Sequence, residues 1–263
     1  MIEDVTPAVF DPAMALDPAP QAVEMQAVDP VPVVRLPDGR QVRLATRYDD
    51  VWRVLDEPGL VPVRQPPAVP AFTSDIEELF EDMVIRGAPV DFAGSVARTL
   101  GVGPCQDVLV KSVLLFGRHP DQWALLTANP ALVGQAVDEL LRYVGQTGYP
   151  VTATAPLTLS GVPVQVGETI LPLVALANRD PIVFPDPDRF DLTRPDAGLH
   201  LTFGRGPDAS RAKDLLCAAL TALLTKFPTL RSSDPDREPD WTPRAVAHGH
   251  PVSCGLKSLP VAW

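Results

Sequence analysis

A glycine-punctuated segment that runs directly into an apolar helix constrains this chain more than any other feature. Residues 200–216 read HLTFGRGPDASRAKDLL. The two glycines and Pro207 exclude regular structure there, because glycine and proline set turns. Asp208 is a favourable residue at which to begin a helix, and apolar residues then repeat at helical spacing as far as Pro228, which ends the pattern. The segment therefore predicts a loop that directs backbone N–H groups and a helix N-terminus at whatever lies beside it.

Composition narrows the class of protein. The chain has 263 residues, 46% of them hydrophobic, and a formal net charge of −11. This length suits one large domain or two small ones, and the acidic balance argues against binding to nucleic acid. No apolar run is long enough to span a membrane, and the first residues lack the basic and apolar parts of a signal peptide. We therefore expect a cytoplasmic protein without a disulfide framework, since it has only three cysteines.

The loop resembles the cysteine-ligand loop of the cytochrome P-450 superfamily, which reads Phe-Gly-x-Gly-x-His-x-Cys-x-Gly. Phe203, Gly204 and Gly206 match that pattern, whereas Asp208 stands at the position of the histidine and Ser210 at that of the haem-ligating cysteine. A thiolate is a strong ligand for haem iron, but a serine hydroxyl is neutral at pH 7 and a poor one. The resemblance, with this replacement, implies a haem-free protein without monooxygenase activity.

A second part of the resemblance lies in a predicted helix that begins at Asn129. Glu139 and Arg142 are three residues apart and share a helix face. They match the family's Glu-x-x-Arg motif, and Arg189 in FPDPDRF matches the third member of its buried charge cluster. The resemblance implies that these three residues hold the fold and take no part in catalysis. From the residues alone, Glu139 and Arg142 would be an ordinary exposed ion pair.

The resemblance covers most of the chain in pieces and becomes continuous over its C-terminal half. We predict one domain over residues 1–263, mainly α with small β-sheets, in a reduced cytochrome P-450-like fold. Its parts are an irregular N-terminal segment (1–31) with a weak helix near 21–26, a small β-sheet and helix (32–58), a shortened helical region (59–128), and core helices, meander, degenerate ligand loop and C-terminal strands (129–263).

Several features of the family are missing from this pattern. The family's long central helix is reduced to residues 105–116 and lacks the acid–alcohol pair that delivers protons to oxygen. The helices that roof the substrate pocket have no counterpart in the sequence. The arginine that binds a haem propionate falls near Thr152. The resemblance therefore implies a truncated member of the family that has lost its middle.

Two hypotheses for function remain open. In the first, the chain is a non-catalytic partner, because haem-less relatives of this family bind and stabilise glycosyltransferases in bacterial natural-product pathways. In the second, the emptied haem cavity holds a small apolar substrate for a cyclisation, isomerisation or hydrolysis. Asp208 would then act as acid or base, Arg205 or His200 as polar helper, and Ser210 with His200 could form a nucleophile–base pair, although no oriented acid is evident.

Neither hypothesis requires a cofactor or a metal. The spacing of His248, His250 and Cys254 approaches that of a zinc site, but no fourth ligand is identifiable, so a polar hairpin tip is the preferred interpretation.

The assembly state follows from the missing helices. The predicted helices around Glu139 and Leu216 keep apolar stripes whose covering elements are absent from the sequence pattern. Large apolar patches rarely persist on monomers. We therefore expect a homodimer, or a complex with a partner biosynthetic enzyme, in which these stripes are covered.

Overall fold

Four consecutive helices in the middle of the chain are flanked by segments that contain short strands and further helices. The computed structural model describes residues 16, 18, 20–35, 40–63, 73–101, 103–145, 148–204, 207–234, 239–247 and 250–263. The helices are α1 (Pro20–Val28), α2 (Tyr48–Asp56), α3 (Thr73–Arg86), α4 (Phe92–Thr99), α5 (Pro104–Arg118), α6 (Pro120–Ala128), α7 (Val133–Tyr143), α8 (Val174–Ala177) and α9 (Pro207–Lys226). The strands are β1 (Val33–Arg35), β2 (Gln41–Ala45), β3 (Leu60–Pro62), β4 (Val90–Asp91), β5 (Val151–Ala153), β6 (Leu157–Leu159), β7 (Val162–Val164), β8 (Thr169–Pro172), β9 (Arg231–Ser232), β10 (Trp241–Ala247), β11 (His250–Leu256) and β12 (Pro260–Ala262).

The chain divides into two compact units, each built from several stretches. The first consists of Met1–Pro67, Gly145–Arg189 and Pro243–Cys254. The second consists of Ala68–Val144, Phe190–Thr242 and Gly255–Trp263. Both units draw on parts of the chain that are far apart in sequence, so neither corresponds to one of the segments predicted above.

The first unit is organised on a five-stranded sheet with the order β1-β2-β8-β5-β3. Within the small β-sheet predicted over residues 32–58, β1 and β2 pair antiparallel with Val34 opposite Val42. On its other edge, β2 pairs with β8 in parallel orientation. An ion pair between Arg43 on β2 and Glu168, directly before β8, at 2.9 Å supports this pairing. The buried side chain of Gln26 on α1 donates to the carbonyl oxygens of Thr46 at 2.6 Å and of Leu176 at 3.1 Å. These bonds anchor the weakly predicted N-terminal helix.

The second unit packs around α9, which contacts α3, α5 and α7. The apolar stripe predicted for α9 is buried along its whole length, and Leu223 is fully buried. The stripe of α7 is equally buried, from Ala136 to Leu141. The expectation that these stripes lack a cover is therefore wrong, because the short helices α3 and α5 occupy their surfaces. The homodimer inferred from it stays a prediction without that physical support.

The predicted class, mainly α with small β-sheets, is confirmed. Besides the five-stranded sheet, the described residues form sheets β4-β12-β9, β10-β11 and β6-β7. Residues 105–116, predicted as the remnant of a longer helix, lie within the fifteen-residue α5. Among the described residues, no helix combines the length and the apolar character that crossing a bilayer requires.

The contact between α3 and α9 can be tested by truncating one side chain. Phe80 is fully buried on α3, and its ring lies 5.8 Å from that of Phe227. Phe80→Ala should lower the free energy of unfolding by about 3–5 kcal/mol, because it removes buried apolar surface and leaves a cavity. Ile85→Ala on the exposed side of the same helix is the matched control and should change it by less than about 0.5 kcal/mol. Urea denaturation of the three proteins gives both values, and equal effects would contradict this packing.

Candidate functional site

A buried carboxylate on α7 organises the segment that precedes the glycine loop. Glu139 and Arg142 have no exposed side-chain surface. Arg142 donates from Nε to Glu139 Oε2 at 2.7 Å and from Nη2 to Oε1 at 2.9 Å. Oε1 also accepts the backbone N–H of Asp191 at 3.0 Å and lies 3.4 Å from Nε of Arg194. One carboxylate therefore holds its own helix and the segment around residues 191–194 together, which is a structural role.

The third member of this buried cluster is Arg194, and the sequence-based choice of Arg189 needs correction. Arg189 is exposed, whereas the side chain of Arg194 is only 7% exposed. Arg189 follows Asp186, whose positive φ of 49° marks a turn in the chain. Phe190, the residue after Arg189, is buried again. The relevant arginine is in the DLTR sequence that directly follows FPDPDRF, and spacing alone does not distinguish Arg189 from Arg194.

The glycine loop keeps an unusual backbone conformation. Phe203 has φ of 65° and Gly204 has φ of 67°. Positive φ is ordinary for glycine but is a strained conformation for a bulky residue such as phenylalanine. The hydroxyl of the buried Thr202 donates to the carbonyl oxygen of Leu141 at 2.7 Å. The backbone N–H of Gly204 donates to the carbonyl oxygen of Leu201 at 3.0 Å. The loop is therefore tied to the end of α7.

A second polar group lies where α7, the loop and α9 meet. Asp138 on α7 accepts from Nζ of Lys213 on α9 at 2.6 Å, and Nε2 of His200 lies 3.9 Å from the same carboxylate oxygen. The Nδ1 atom of His200 is buried without a hydrogen-bond partner. Burial lowers the pKa of His200 to about 4, since the attraction of Asp138 only partly offsets the cost of desolvating a charged ring. His200 is therefore neutral at pH 7.

Of the four predicted site residues, the structure describes the side chains of Ser210 and His200, and no hydrogen bond or ion pair joins these two. Helix α9 begins at Pro207, next to the predicted start, and Ser210 on its first turns is exposed. Arg205 and the side chain of Asp208 lie outside the described residues. His200 is linked to Asp138 and Lys213, two residues that sequence reasoning did not single out. Neither belongs to a recognisable motif, so no signal in the sequence pointed to them.

The zinc hypothesis falls on residues whose side chains the structure does not describe. His248 lies outside the described residues, and the side chains of His250 and Cys254 are likewise not described. The described part of the chain contains no other cluster of metal-ligating side chains. The interpretation of this segment as a polar hairpin tip therefore stays a prediction.

Comparison with known proteins defines the class. The cytochrome P-450 family model matches residues 111–208, which include α7, the Glu139 cluster and the first part of the loop, as far as Asp208. Nocardicin C N-oxygenase from Nocardia uniformis subsp. tsuyamanensis is 41% identical over 159 residues, covering 58% of this chain and 38% of that protein. Protein DesVIII from Streptomyces venezuelae is 36% identical over 177 residues, covering 65% of this chain and 42% of that protein. These matches thus span about two fifths of the length of the curated relatives.

Solved structures agree with this assignment at the level of the fold. The LnmA cytochrome P-450 hydroxylase from the leinamycin biosynthetic pathway of Streptomyces atroolivaceus superposes with a TM-score of 0.75 at 23% identity. The alignment covers 94% of this chain and 97% of that one. The matched family segment, the relatives and the shared fold together support membership of the cytochrome P-450 superfamily.

The residues of the loop do not fit a haem held by a cysteine thiolate. Residues 200–216 contain no cysteine, and a serine occupies the position that matches the family's ligand. Cys217 follows on α9, where burial raises the pKa of its thiol and so favours the neutral form over the thiolate that binds iron. Cys105 is buried within the first turn of α5.

The structural role of the Glu139 carboxylate predicts a large loss of stability when it is removed. Glu139→Ala should lower the free energy of unfolding by about 3–5 kcal/mol, because two buried guanidinium groups lose their counter-charge. Arg142→Ala should cost a similar amount. Arg189→Ala serves as the matched control on an exposed arginine of the same segment and should have little effect. Thermal melting compares the four proteins, and unchanged melting of Glu139→Ala would contradict the proposed role.

The buried, neutral His200 predicts a specific acid sensitivity. The unfolded chain binds a proton at His200 below pH 6.5, but the folded protein does so only near pH 4. The free energy of unfolding should therefore fall as the pH drops from 6.5 to 4, by about 3 kcal/mol from this group. Above pH 6.5 this group should contribute no pH dependence.

The comparison that isolates the histidine uses His200→Gln, which cannot titrate. Urea denaturation at several pH values should show the stability of the wild type declining toward pH 4 more steeply than that of the variant. Parallel curves for the two proteins would mean that His200 takes up a proton in the folded state at its ordinary pKa.

Proposed function

We propose that this chain is a haem-free cytochrome P-450-like protein that lacks monooxygenase activity and acts as an auxiliary partner of a biosynthetic enzyme. The observation that carries the proposal is Ser210 at the ligand position of a loop without cysteine. A hydroxyl cannot replace the electron-donating thiolate on which oxygen cleavage in this family depends. Such a chain keeps the fold of the family but does not carry out its monooxygenase reaction.

The retained parts support a role that needs the folded shape. The buried Glu139 cluster and the strained loop at Phe203 are kept although the ligand chemistry is replaced. Buried charges and strained backbone cost stability, so they persist where the surrounding structure is needed. A protein that serves as a binding partner needs its surface geometry and has no need of the iron ligand.

The biological setting follows from the relatives. Nocardicin C N-oxygenase and the leinamycin-pathway hydroxylase carry names from bacterial natural-product biosynthesis. The partner proposed here is an enzyme of such a pathway, for example a glycosyltransferase. A cytoplasmic location and the absence of a cofactor are part of the same proposal.

Haem reconstitution tests the first half of the proposal. The purified protein should show no Soret band after haem is supplied, and carbon monoxide should produce no spectral shift, because Ser210 offers no thiolate. A bacterial cytochrome P-450 stripped of haem and reconstituted in parallel is the positive control. Stoichiometric haem at a defined site would overturn the proposal.

Co-expression tests the second half. A glycosyltransferase encoded beside this chain should be recovered with higher solubility and activity when both proteins are produced together than when it is produced alone. The Glu139→Ala variant is the control for a requirement for the folded scaffold and should lose the effect. Equal activity with and without this chain would exclude the auxiliary role for that enzyme.

A further inference from the structure

The outward face of α3 has a surface pattern that its own packing does not explain. Helix geometry, with about 100° per residue, places residues 77, 78, 81, 84 and 85 within an arc of about 120°. Side chains on the opposite side of the helix, among them Phe80, pack toward the interior of the second unit. Along the helix axis, the N-terminal half of this face carries three glutamates and the C-terminal half carries two aliphatic residues.

Both halves of this face are exposed. Val84 and Ile85 are 56% and 83% exposed, although branched aliphatic side chains are among those most often buried. Glu77, Glu78 and Glu81 are also exposed. Adjacent exposed aliphatic side chains beside a rim of charge are typical of surfaces that bind another molecule.

The glutamates lack local compensation. Within the described part of the chain, no ion pair or side-chain hydrogen bond joins Glu77, Glu78 or Glu81 to another residue. The nearby cations are already engaged by Asp82, which accepts from Nε of Arg86 at 2.8 Å and lies 3.6 Å from Nη2 of Arg98. Like charges three or four residues apart destabilise a helix by about 0.2–0.5 kcal/mol per pair. The isolated protein therefore gains nothing from either half of the pattern.

Charge decides which class of molecule fits this face. A lipid surface and a nucleic acid are both anionic, so the glutamates would repel them. A second copy bound about a two-fold axis would bring the same glutamates together from both subunits, in a chain that already has a net charge of −11. A protein with basic side chains followed by aliphatic ones along one helix face complements both halves.

We propose that the face of α3 formed by Glu77, Glu78, Glu81, Val84 and Ile85 is the docking surface for a partner protein that presents a basic and aliphatic helix. Val84 and Ile85 enter an apolar part of the interface, and the three glutamates bind lysine or arginine side chains at its rim. The proposal rests on the auxiliary function proposed above, for which it names the contact surface. It assigns to α3 a role that is independent of the loop at Ser210.

A defined peptide probe tests the surface whichever protein the natural partner is. The probe is a synthetic amphipathic helix with Lys and Leu residues in the complementary order, and the reference is a peptide of the same composition in scrambled order. Fluorescence anisotropy at about 0.15 M salt, where long-range attraction is screened, measures both affinities. The ordered peptide should bind the intact chain about tenfold more tightly than the scrambled one.

Three variants locate the binding. E77K/E78K/E81K and V84S/I85S should each weaken binding of the ordered peptide about tenfold. E24K/D56K/D234K makes the same change in charge at exposed positions outside α3 and should alter binding by less than about twofold. Thermal melting confirms that each variant is folded before it is compared.

The outcomes separate this proposal from its alternatives. Equal binding of ordered and scrambled peptides, or equal losses in the α3 and control charge variants, would show general electrostatic attraction and overturn the docking surface. Sedimentation that shows a dimer abolished by V84S/I85S would assign the face to a second copy and would also overturn it. Haem uptake at a defined site would overturn the proposed function and leave the peptide result intact, so the two failures are distinguishable.

Discussion

The structure of the second unit depends on the hydrogen bonds and ion pairs of the Glu139 carboxylate. It is fully buried and is bound by Arg142 from its own helix, by Arg194 and by the backbone N–H of Asp191. A buried charge is tolerated only when such partners surround it. Because two of those partners come from the irregular segment beyond residue 190, the carboxylate positions the chain that leads into the glycine loop. The conformation of that loop follows from this attachment together with the bond between Thr202 and Leu141.

The same scaffold that supports haem chemistry in a cytochrome P-450 here surrounds different side chains. The backbone at Phe203 has positive φ, and Ser210 stands at the position that matches the cysteine of the family's loop. His200 remains neutral in a buried site beside an ion pair of Asp138 and Lys213. These groups stabilise contacts between α7 and α9. The auxiliary function proposed above accordingly uses the surface of the molecule.

The removal of apolar area from water is the physical constraint that links α3 with α7 and α9. The apolar stripes of α7 and α9 are covered inside the second unit, by neighbours that include α3. Val84 and Ile85 lie on the side of α3 that this packing does not reach. Exposed apolar surface is thus absent from these two stripes and present on the helix that covers them.

Local patterns in the sequence determined the elements and the class of fold. Three features depend on residues close together in the chain, and each was predictable from spacing. They are the antiparallel pair of β1 and β2, the course of α9, and the pairing of Glu139 with Arg142. Together with the motifs around them, these patterns were sufficient to indicate the cytochrome P-450 superfamily.

Only the tertiary structure decided which distant residues meet. Arg194 and not Arg189 completes the buried cluster, because the turns between α8 and α9 determine which arginine points inward. Asp138 and Lys213 pair across two helices without any common motif, and the covering of the α9 stripe by α3 depends on packing across a long stretch of chain. Such contacts are set by the path of irregular segments and by the exclusion of water from a shared core, neither of which has a fixed spacing in the sequence.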